Sequence, residues 1–158
     1  MTNRRAKLRR MTSDDVRYVA ANMRAMDAVE VWNMTGSTPR DGILRAAGNS
    51  PASFTITLDD RPAAVCGCTK ARGLRAAAAP WLLGTDELEP ALLTAGTQIM
   101  VTHRMVEGWL QRAGILENWV DPDNTTAIRW IKWLGFTLDP VAPAGLFGKP
   151  HRRFWREA

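Results

Sequence analysis

The stretch from Asn118 to Phe136 restricts the fold of this chain more than any other part of it. It begins with residues typical of the end of a strand and continues through the turn-forming run 121–124. Apolar residues then recur at helical spacing, and Asn124 or Thr125 is placed to cap the helix. A strand, a tight turn, a short helix and a second strand are therefore predicted within one segment, which fixes the spacing of two sheet elements.

The short helix in this segment has a predicted buried face and a predicted end. Gly135 ends it, because glycine readily adopts the left-handed conformation found just past a helix. Trp133 falls off the apolar stripe, and since tryptophan often anchors interfaces we expect Trp133 to contact a partner. The buried stripe is predicted to consist of Ala127, Trp130, Ile131 and Leu134.

Upstream of this segment, the pattern predicts one strand, three helices and a hairpin. Thr12 is a good N-cap for the first helix, and Asp15 lies in its third position, where a carboxylate meets free backbone N–H groups. Pro39 suits the first position of the third helix and Gly48 the position after its end. The predicted elements are a strand over 6–10, helices from residue 12, over 28–33 and over 38–47, and hairpin strands over 53–58 and 63–69.

Downstream of the hairpin, a third strand extends the meander and a long helix follows it. Gly114 ends that helix, and a short apolar strand then leads into the segment described first. No internal repeat or linker interrupts the chain, so we predict one domain over residues 1–158, whose basic end over 1–10 is partly extended. The predicted elements are strands over 76–83, 115–120 and from 136, a helix over about 90–112, a loop over 140–148 and a last strand over 151–157.

Composition agrees with one soluble domain. With 158 residues, of which 46% are hydrophobic, the chain can bury a continuous core without metals or disulfides. No apolar run approaches the roughly 20 residues of a membrane-spanning helix, and the basic residues 1–10 are not followed by the apolar stretch of a secretory signal. We therefore expect the protein in a cytosol or in a particle assembled there.

The two cysteines and the two histidines do not form the ligand set of a metal site. Cys66 and Cys68 lie two residues apart in a predicted strand, so their side chains share a face and are expected to be small buried apolar groups. His103 and His151 are far from them in sequence, and no structural zinc pattern is present. We predict no metal, and either thiol remains a candidate nucleophile for which the sequence provides no partner.

Much of the excess positive charge of the chain lies at its two ends. The net charge is +5 and the sequence pI is about 9.9. Clusters of this kind can hold phosphate of a nucleic acid or of a nucleotide cofactor, and they can equally be a solvated edge that keeps a protein soluble. Weak contact with nucleic acid is therefore one hypothesis. The basic residues are Arg4, Arg5, Lys7, Arg9, Arg10, Lys149, Arg152, Arg153 and Arg156.

The predicted element order and one spacing pattern resemble the GNAT N-acetyltransferase superfamily. Members commonly have an asparagine, an alanine three positions later, and Gly-Phe eleven and twelve positions later, which here are Asn124, Ala127, Gly135 and Phe136. The resemblance covers roughly residues 8–156. It implies an α+β fold with a central, mixed, mostly antiparallel twisted sheet of six to seven strands flanked by about four helices. It also implies acetyl-CoA as cofactor, near Leu83, Gly96, Asn124 and Ala127.

Two runs of sequence are similar to a narrower group, the small GNAT-like proteins of short-tailed bacteriophages. These runs cover residues 80–85 and 129–136. In some such phages the GNAT-like protein is an internal virion protein. The resemblance therefore implies a virion component with other virion proteins as partners, located in the host cytoplasm, in the virion, or in both.

The chain departs from the superfamily pattern at two places that matter for chemistry. Active members usually hold the pyrophosphate with a glycine-rich loop at a helix N-terminus, but between residues 85 and 98 only Gly96 is present, and Glu87 and Glu89 would repel phosphate. Many members also have a tyrosine seven positions after the asparagine, where it protonates the leaving thiolate. Ile131 occupies that position here.

Other residues are candidates for the missing chemistry. His103, Asp86 and Glu87 are candidate bases for an amine substrate, although none has an evident orienting neighbour in the sequence. Three hypotheses follow. We favour a virion component with a degenerate acyl-CoA site; the alternatives are an active acetyl-CoA-dependent N-acetyltransferase and, less favoured, a nucleic-acid binder.

Overall fold

The structure is a computed structural model that describes residues 5–71, 73, 76–88 and 97–158, with backbone alone at 97–101. Within these residues the chain forms seven strands and five helices. The strands are β1 (Ala6–Arg10), β2 (Ser53–Leu58), β3 (Arg61–Cys68), β4 (Pro80–Gly84), β5 (Ile115–Val120), β6 (Thr137–Ala144) and β7 (Lys149–Glu157). The helices are α1 (Ser13–Ala21), α2 (Ala25–Thr35), α3 (Pro39–Gly48), α4 (Thr97–Ala113) and α5 (Thr125–Trp133).

The strands form two antiparallel sheets that meet at one point. Their orders are β1-β2-β3-β4 and β5-β7-β6. A single parallel bridge joins Ala78, two residues before β4, to Leu116 of β5. The Ala78 N–H donates to the Ile115 carbonyl at 3.0 Å, and the Glu117 N–H donates to the Ala78 carbonyl at 2.9 Å. This mixed, mostly antiparallel arrangement confirms the predicted fold class, with five described helices where about four were expected.

The predicted hairpin is present, and its turn is tighter than expected. Asp59 and Asp60 have φ values of 50° and 65°, so both lie in the left-handed region that a two-residue hairpin turn requires. Strand β3 consequently begins at Arg61, two residues earlier than predicted. Both faces of β2 are covered, since Thr55 is as buried as the neighbouring Ile56.

The core lies on both faces of the sheets. Helices α1 and α3 cover one face, where Val19 and Ile43 are fully buried against β3. Helices α4 and α5 cover the other, and Leu116, Ile131 and Phe154 lie in the largest apolar cluster. Of the stripe predicted for α5, Ile131 and Leu134 are buried, while Ala127 and Trp130 pack at the edge of that cluster. Burying these groups supplies most of the driving force for folding.

The N-terminus of α1 is fixed by one buried carboxylate. The Asp15 side chain accepts hydrogen bonds from the Thr12 N–H at 2.9 Å, the Thr55 hydroxyl at 2.7 Å and the Arg9 guanidinium at 2.8 Å. The Thr12 hydroxyl in turn accepts from the Asp15 N–H, which completes the predicted cap. Burial alone would raise the pKa of Asp15, but these hydrogen bonds outweigh it and hold the pKa well below its usual range.

Further predicted boundaries differ from the structure. Helix α2 covers Ala25–Thr35 rather than 28–33, and Gly36, in the left-handed conformation, ends it. The strand predicted over 76–83 is β4, shifted towards Gly84. The predicted loop over 140–148 is mostly strand, since β6 continues to Ala144 through two prolines. Proline is tolerated there because β6 is an edge strand, with one side of its backbone facing away from the sheet.

Candidate functional site

A cavity of about 330 Å³ lies where β4 and β5 part. The two strands are joined at Ala78 and Leu116 and then diverge, so the sheet opens instead of continuing. A cavity of this size is within the range of small-ligand pockets. Its wall is mainly apolar, and includes Val31, Met34, Leu82, Trp109, Trp119 and Ile131.

One edge of β4 faces this cavity. Alternation along the strand turns the backbone groups of Pro80, Leu82 and Gly84 away from β3. The Pro80 carbonyl accepts from the Asn118 amide at 2.8 Å, and the Gly84 N–H donates to Asp27 at 2.8 Å. Among the described residues no hydrogen bond is found for the backbone of Leu82 on this edge. Its N–H and carbonyl are therefore available to a ligand.

Asn118 holds the two strands apart at the narrow end of the cavity. Its amide nitrogen donates to the Pro80 carbonyl on β4, while its amide oxygen accepts from the Trp119 N–H at 2.8 Å. The side chain thus occupies the place that a direct strand-to-strand hydrogen bond would take in a closed sheet.

Helix α2 lies across the open end of the cleft and is attached to both strands. At its start, the Arg24 N–H donates to the Gly84 carbonyl at 2.8 Å, and the buried Arg24 and Asp27 side chains form an ion pair at 3.3 Å. At its middle, Glu30 reaches the turn after β5. The position of α2 therefore fixes both the width of the cleft and the groups at its open end.

Glu30 is anchored through one carboxylate oxygen. Its Oε1 accepts from the Asp121 N–H at 3.0 Å and from the Asn124 amide at 2.9 Å. Burial, and to a smaller extent the nearby carboxylates of Asp27 and Asp121, raise the pKa of Glu30, while the two hydrogen bonds lower it; the resulting pKa is about 7. A carboxyl group with such a pKa exchanges protons near neutral pH.

Three of the four residues implied as cofactor-binding line the cavity. These are Leu83, Asn124 and Ala127. Asn124 also caps α5, accepting from the Ala127 N–H at 3.3 Å. Gly96, the fourth, lies outside the described residues. Ile131, at the position where many GNAT members have a tyrosine, lines the same cavity with an apolar side chain.

The three candidate bases, Asp86, Glu87 and His103, lie outside the cavity. Asp86 is exposed after β4, and Glu87 forms an ion pair with Arg61 at 3.1 Å. His103 stands on the outer part of α4, 3.8 Å from Glu107. None of the three is among the residues that line the cavity.

The cysteines are free and buried, as predicted. Burial raises the pKa of Cys66 to about 12 and that of Cys68 to about 11, so both thiols stay protonated near neutral pH. Neither is therefore an activated nucleophile. Over residues 5–88 and 97–158, apart from positions 72, 74 and 75, no group of three or more His, Cys, Asp or Glu side chains could hold a metal ion. No helix in the described part is long and apolar enough to cross a membrane.

Trp133 is exposed on α5, as its position off the stripe predicted. Its side chain is 48% accessible and packs edge-on against the His103 ring, with 5.6 Å between the ring centres. An interface role for Trp133 stays a prediction.

The basic ends carry less free charge than the sequence suggests. Four of their residues contact carboxylates: Lys7 contacts Asp60, Arg9 contacts Asp15, Arg153 contacts Glu117 and Asp139, and Arg156 contacts Glu107. Charges paired in this way are less available to phosphate. Nucleic-acid contact stays a prediction.

Sequence reasoning missed Glu30. It looked like an ordinary helical glutamate, and its partners lie more than ninety residues later in the chain. One signal was present: Asp27, Glu30, Val31 and Met34 share a helical face, so two carboxylates lie among apolar side chains. Such a face predicts either an ion pair or a site; here Asp27 forms an ion pair and Glu30 lines the cavity.

Comparison with known proteins identifies the fold. No protein-family model matches the chain, and no curated protein matches it significantly. Solved structures do match over nearly the full length of both chains. Spermidine N-acetyltransferase from Vibrio cholerae, in complex with CoA and spermine, has a TM-score of 0.67 and 11% identity, covering 96% of this chain and 95% of the other.

Two further structures give the same result. Ard1 from Thermoplasma volcanium has a TM-score of 0.68 and 17% identity, with 97% of each chain covered. Ribosomal-protein-alanine N-acetyltransferase from Brucella melitensis has a TM-score of 0.66 and 12% identity, covering 96% of this chain and 99% of the other. The chain therefore has the fold of the GNAT N-acetyltransferases, as its sequence pattern predicted.

Proposed function

We propose that the protein is an acetyl-CoA-dependent N-acetyltransferase that acylates an amine in the cavity between β4 and β5. The observation that carries the proposal is the open edge of β4, where the backbone of Leu82 is available inside a mainly apolar cavity. The acyl-bearing arm of CoA contains amide groups, which can pair with such an edge as an added strand would. A backbone N–H in a mainly apolar cavity also stabilises charge that develops on a carbonyl oxygen.

The residues present fit this co-substrate. Leu82 would hold the arm through its backbone, and Ala127 leaves room beside it because its side chain is small. The co-substrate would supply an activated acetyl group when bound. Two of the solved structures with this fold are named as spermidine and ribosomal-protein-alanine N-acetyltransferases, which favours an amine acceptor.

Calorimetry on the full chain tests this proposal. We expect acetyl-CoA to bind and the variant Ala127→Trp, which fills the cavity, to bind at least about tenfold more weakly, a loss of about 1.4 kcal/mol. The matched control is Ala21→Trp, at an exposed alanine that ends α1. Circular dichroism checks that both variants fold. Absence of binding at millimolar acetyl-CoA would contradict the proposal.

A virion component is a second proposal, derived from the phage-protein resemblance. The observation that favours it is a group of exposed apolar side chains formed by Trp32, Leu146 and Phe147, in which the Trp32 and Phe147 rings stack with 5.7 Å between centres. Exposed apolar groups of this kind mark surfaces on which partner proteins pack. Mass spectrometry of virions purified from the source of the chain tests it, and absence of the protein would reject it.

A further inference from the structure

The two oxygens of the Glu30 carboxylate have different surroundings. Both described hydrogen bonds, from the Asp121 N–H and from the Asn124 amide, end on Oε1. No donor among the described residues reaches Oε2, and Glu30 lines the cavity. One oxygen is thus fixed in place while the other remains for a ligand. A general base needs this combination of orientation and access.

The charges around Glu30 favour a cationic ligand. Asp27, one helical turn earlier, is engaged by Arg24 and by the Gly84 N–H. Asp121, in the turn after β5, contributes a second nearby negative charge. No cation in the described part of the chain lies within ion-pair distance of Glu30. An incoming ammonium group would therefore find one unneutralised carboxylate at the open end of the cavity.

We propose that Glu30 is the general base that deprotonates the acceptor, and that the acceptor is a primary monoamine on an apolar body. The inference rests on the proposed acetyltransferase function and names its acceptor site. The Glu30 carboxylate takes one proton from the ammonium group, and the nitrogen then forms the new C–N bond as the C–S bond of the thioester breaks. The second nitrogen proton goes to the departing thiolate, and Glu30 returns its proton to water.

The side chains of the cavity wall favour an apolar group attached to the reacting amine. The side chains of Val31, Met34, Trp109 and Trp119 offer apolar contact and no charge. A polyamine would bring additional ammonium groups, each of which needs a carboxylate when it leaves water. Of the two acidic residues that line the cavity, Asp27 is already occupied by Arg24, so one ammonium group is accommodated. This differs from the spermidine acceptor named for one of the structures with the same fold.

Steady-state acetylation of 2-phenylethylamine and of spermidine by the full chain tests the inference. We expect kcat/KM to be at least about tenfold higher for the monoamine, and Glu30→Gln to lower it by about 100-fold or more. The matched control is Glu157→Gln, an exposed glutamate at the end of β7, for which no loss is expected. The wild-type profile of kcat/KM should contain a rising limb near pH 7 that Glu30→Gln lacks.

A readout independent of activity accompanies these rates. Carbon-13 NMR of the full chain should contain one glutamate carboxyl resonance that titrates near pH 7 and is absent from Glu30→Gln. If every glutamate titrates near its ordinary pKa, the assignment of Glu30 as a base is wrong.

Acetyl-CoA calorimetry on the same samples separates the two proposals. No binding to the wild type would contradict the proposed function itself. Binding with a Glu30→Gln rate within threefold of wild type would overturn the base while leaving the function intact. Equal or faster use of spermidine would overturn the acceptor class. Normal binding in Glu30→Gln, with a large loss of rate and of the pH limb, would support the inference.

Discussion

Asp15 and Glu30 are carboxylates on consecutive helices, both drawn into the protein, yet their surroundings differ completely. Asp15 is held by the Arg9 guanidinium, a backbone N–H and the Thr55 hydroxyl, and these interactions lower its pKa. Glu30 is held by two neutral amide donors on one oxygen, and burial raises its pKa to about 7. Asp15 faces a closed hydrogen-bonded network, whereas Glu30 lines a cavity.

The difference shows how one functional group, a buried carboxylate, can serve stability in one place and be suited to chemistry in another. A buried carboxylate that is fully satisfied by a cation and hydrogen bonds stabilises the folded state in its charged form. One that lacks a cation is favoured in its protonated form, and that leaves it able to exchange a proton. Four predictions test this comparison, in order of decreasing effect.

Replacing Asp15 should destabilise the protein most. Asp15→Ala removes the Asp15 half of the capping box and leaves the Thr55 hydroxyl and the Arg9 guanidinium without their acceptor, so we expect a loss of about 3 kcal/mol in the free energy of unfolding. Urea denaturation measures it. The control is Asp14→Ala on the same helix, whose ion pair with Arg17 is exposed and should matter little. Equal effects of the two variants would contradict a structural role for the Asp15 network.

Replacing Glu30 should stabilise the protein at alkaline pH. Because the folded-state pKa is raised above the ordinary value of 4.5 to about 7, stability falls as the pH rises through that window. Glu30→Gln removes this dependence, so we expect its free energy of unfolding to exceed that of wild type by about 3 kcal/mol at pH 8 and to match it at pH 4. Thermal unfolding at both pH values measures this. A stability loss at pH 8 would mean that Glu30 is a structural group like Asp15.

Asn124 caps α5 and also donates to Glu30, so its removal should widen the difference in pKa between Asp15 and Glu30. Asn124→Ala loses the cap and the hydrogen bond to Glu30, with an expected cost of about 1 kcal/mol. Because that hydrogen bond lowers the pKa of Glu30, the pKa should rise in the variant, which NMR titration measures. Asn22→Ala, at an exposed asparagine after α1, is the control. An unchanged Glu30 titration would show that Asn124 does not tune the carboxyl group.

Trp133 contacts neither Asp15 nor Glu30, and its replacement should have the smallest effect on stability. Trp133→Ser removes an exposed ring that contacts His103, and we expect a change of about 0.5 kcal/mol or less. Chemical denaturation checks this, and size-exclusion chromatography of wild type and variant tests the predicted interface. A loss comparable with that of Asp15→Ala would mean that Trp133 belongs to the core.

Much of the fold was predictable because its signals are local. The cap at Thr12, the turn at Asp59 and the end of α5 at Gly135 each depend on a few neighbouring residues, and the structure contains all three. The loop predicted over 140–148 was wrong, since β6 continues through Pro140 and Pro143 to Ala144. Whether a proline breaks a strand depends on whether the strand lies at a sheet edge, which is a property of the whole fold.

In the candidate site, too, the residues with a signal in the sequence differ from those that depend on the whole fold. Asn124, Ala127 and Leu83, which the family resemblance implied, all line the cavity, and their binding of a cofactor stays a prediction. The candidate bases Asp86, Glu87 and His103 were chosen for residue type, and they lie outside it. Glu30 was missed, since its pKa depends on burial and on contacts with the distant turn over 121–124.

The sequence by itself determined the order of elements, the segment from Asn118 to Phe136 and the fold that this segment belongs to, because caps, turns and periodicity act between residues close in the chain. Only the tertiary structure decided that β4 and β5 part, that α2 lies across the gap, and that Asp15 and Glu30 have opposite electrostatic surroundings. The free energy of a buried charge depends on desolvation and on neighbours in space, and the fold alone brings those neighbours together.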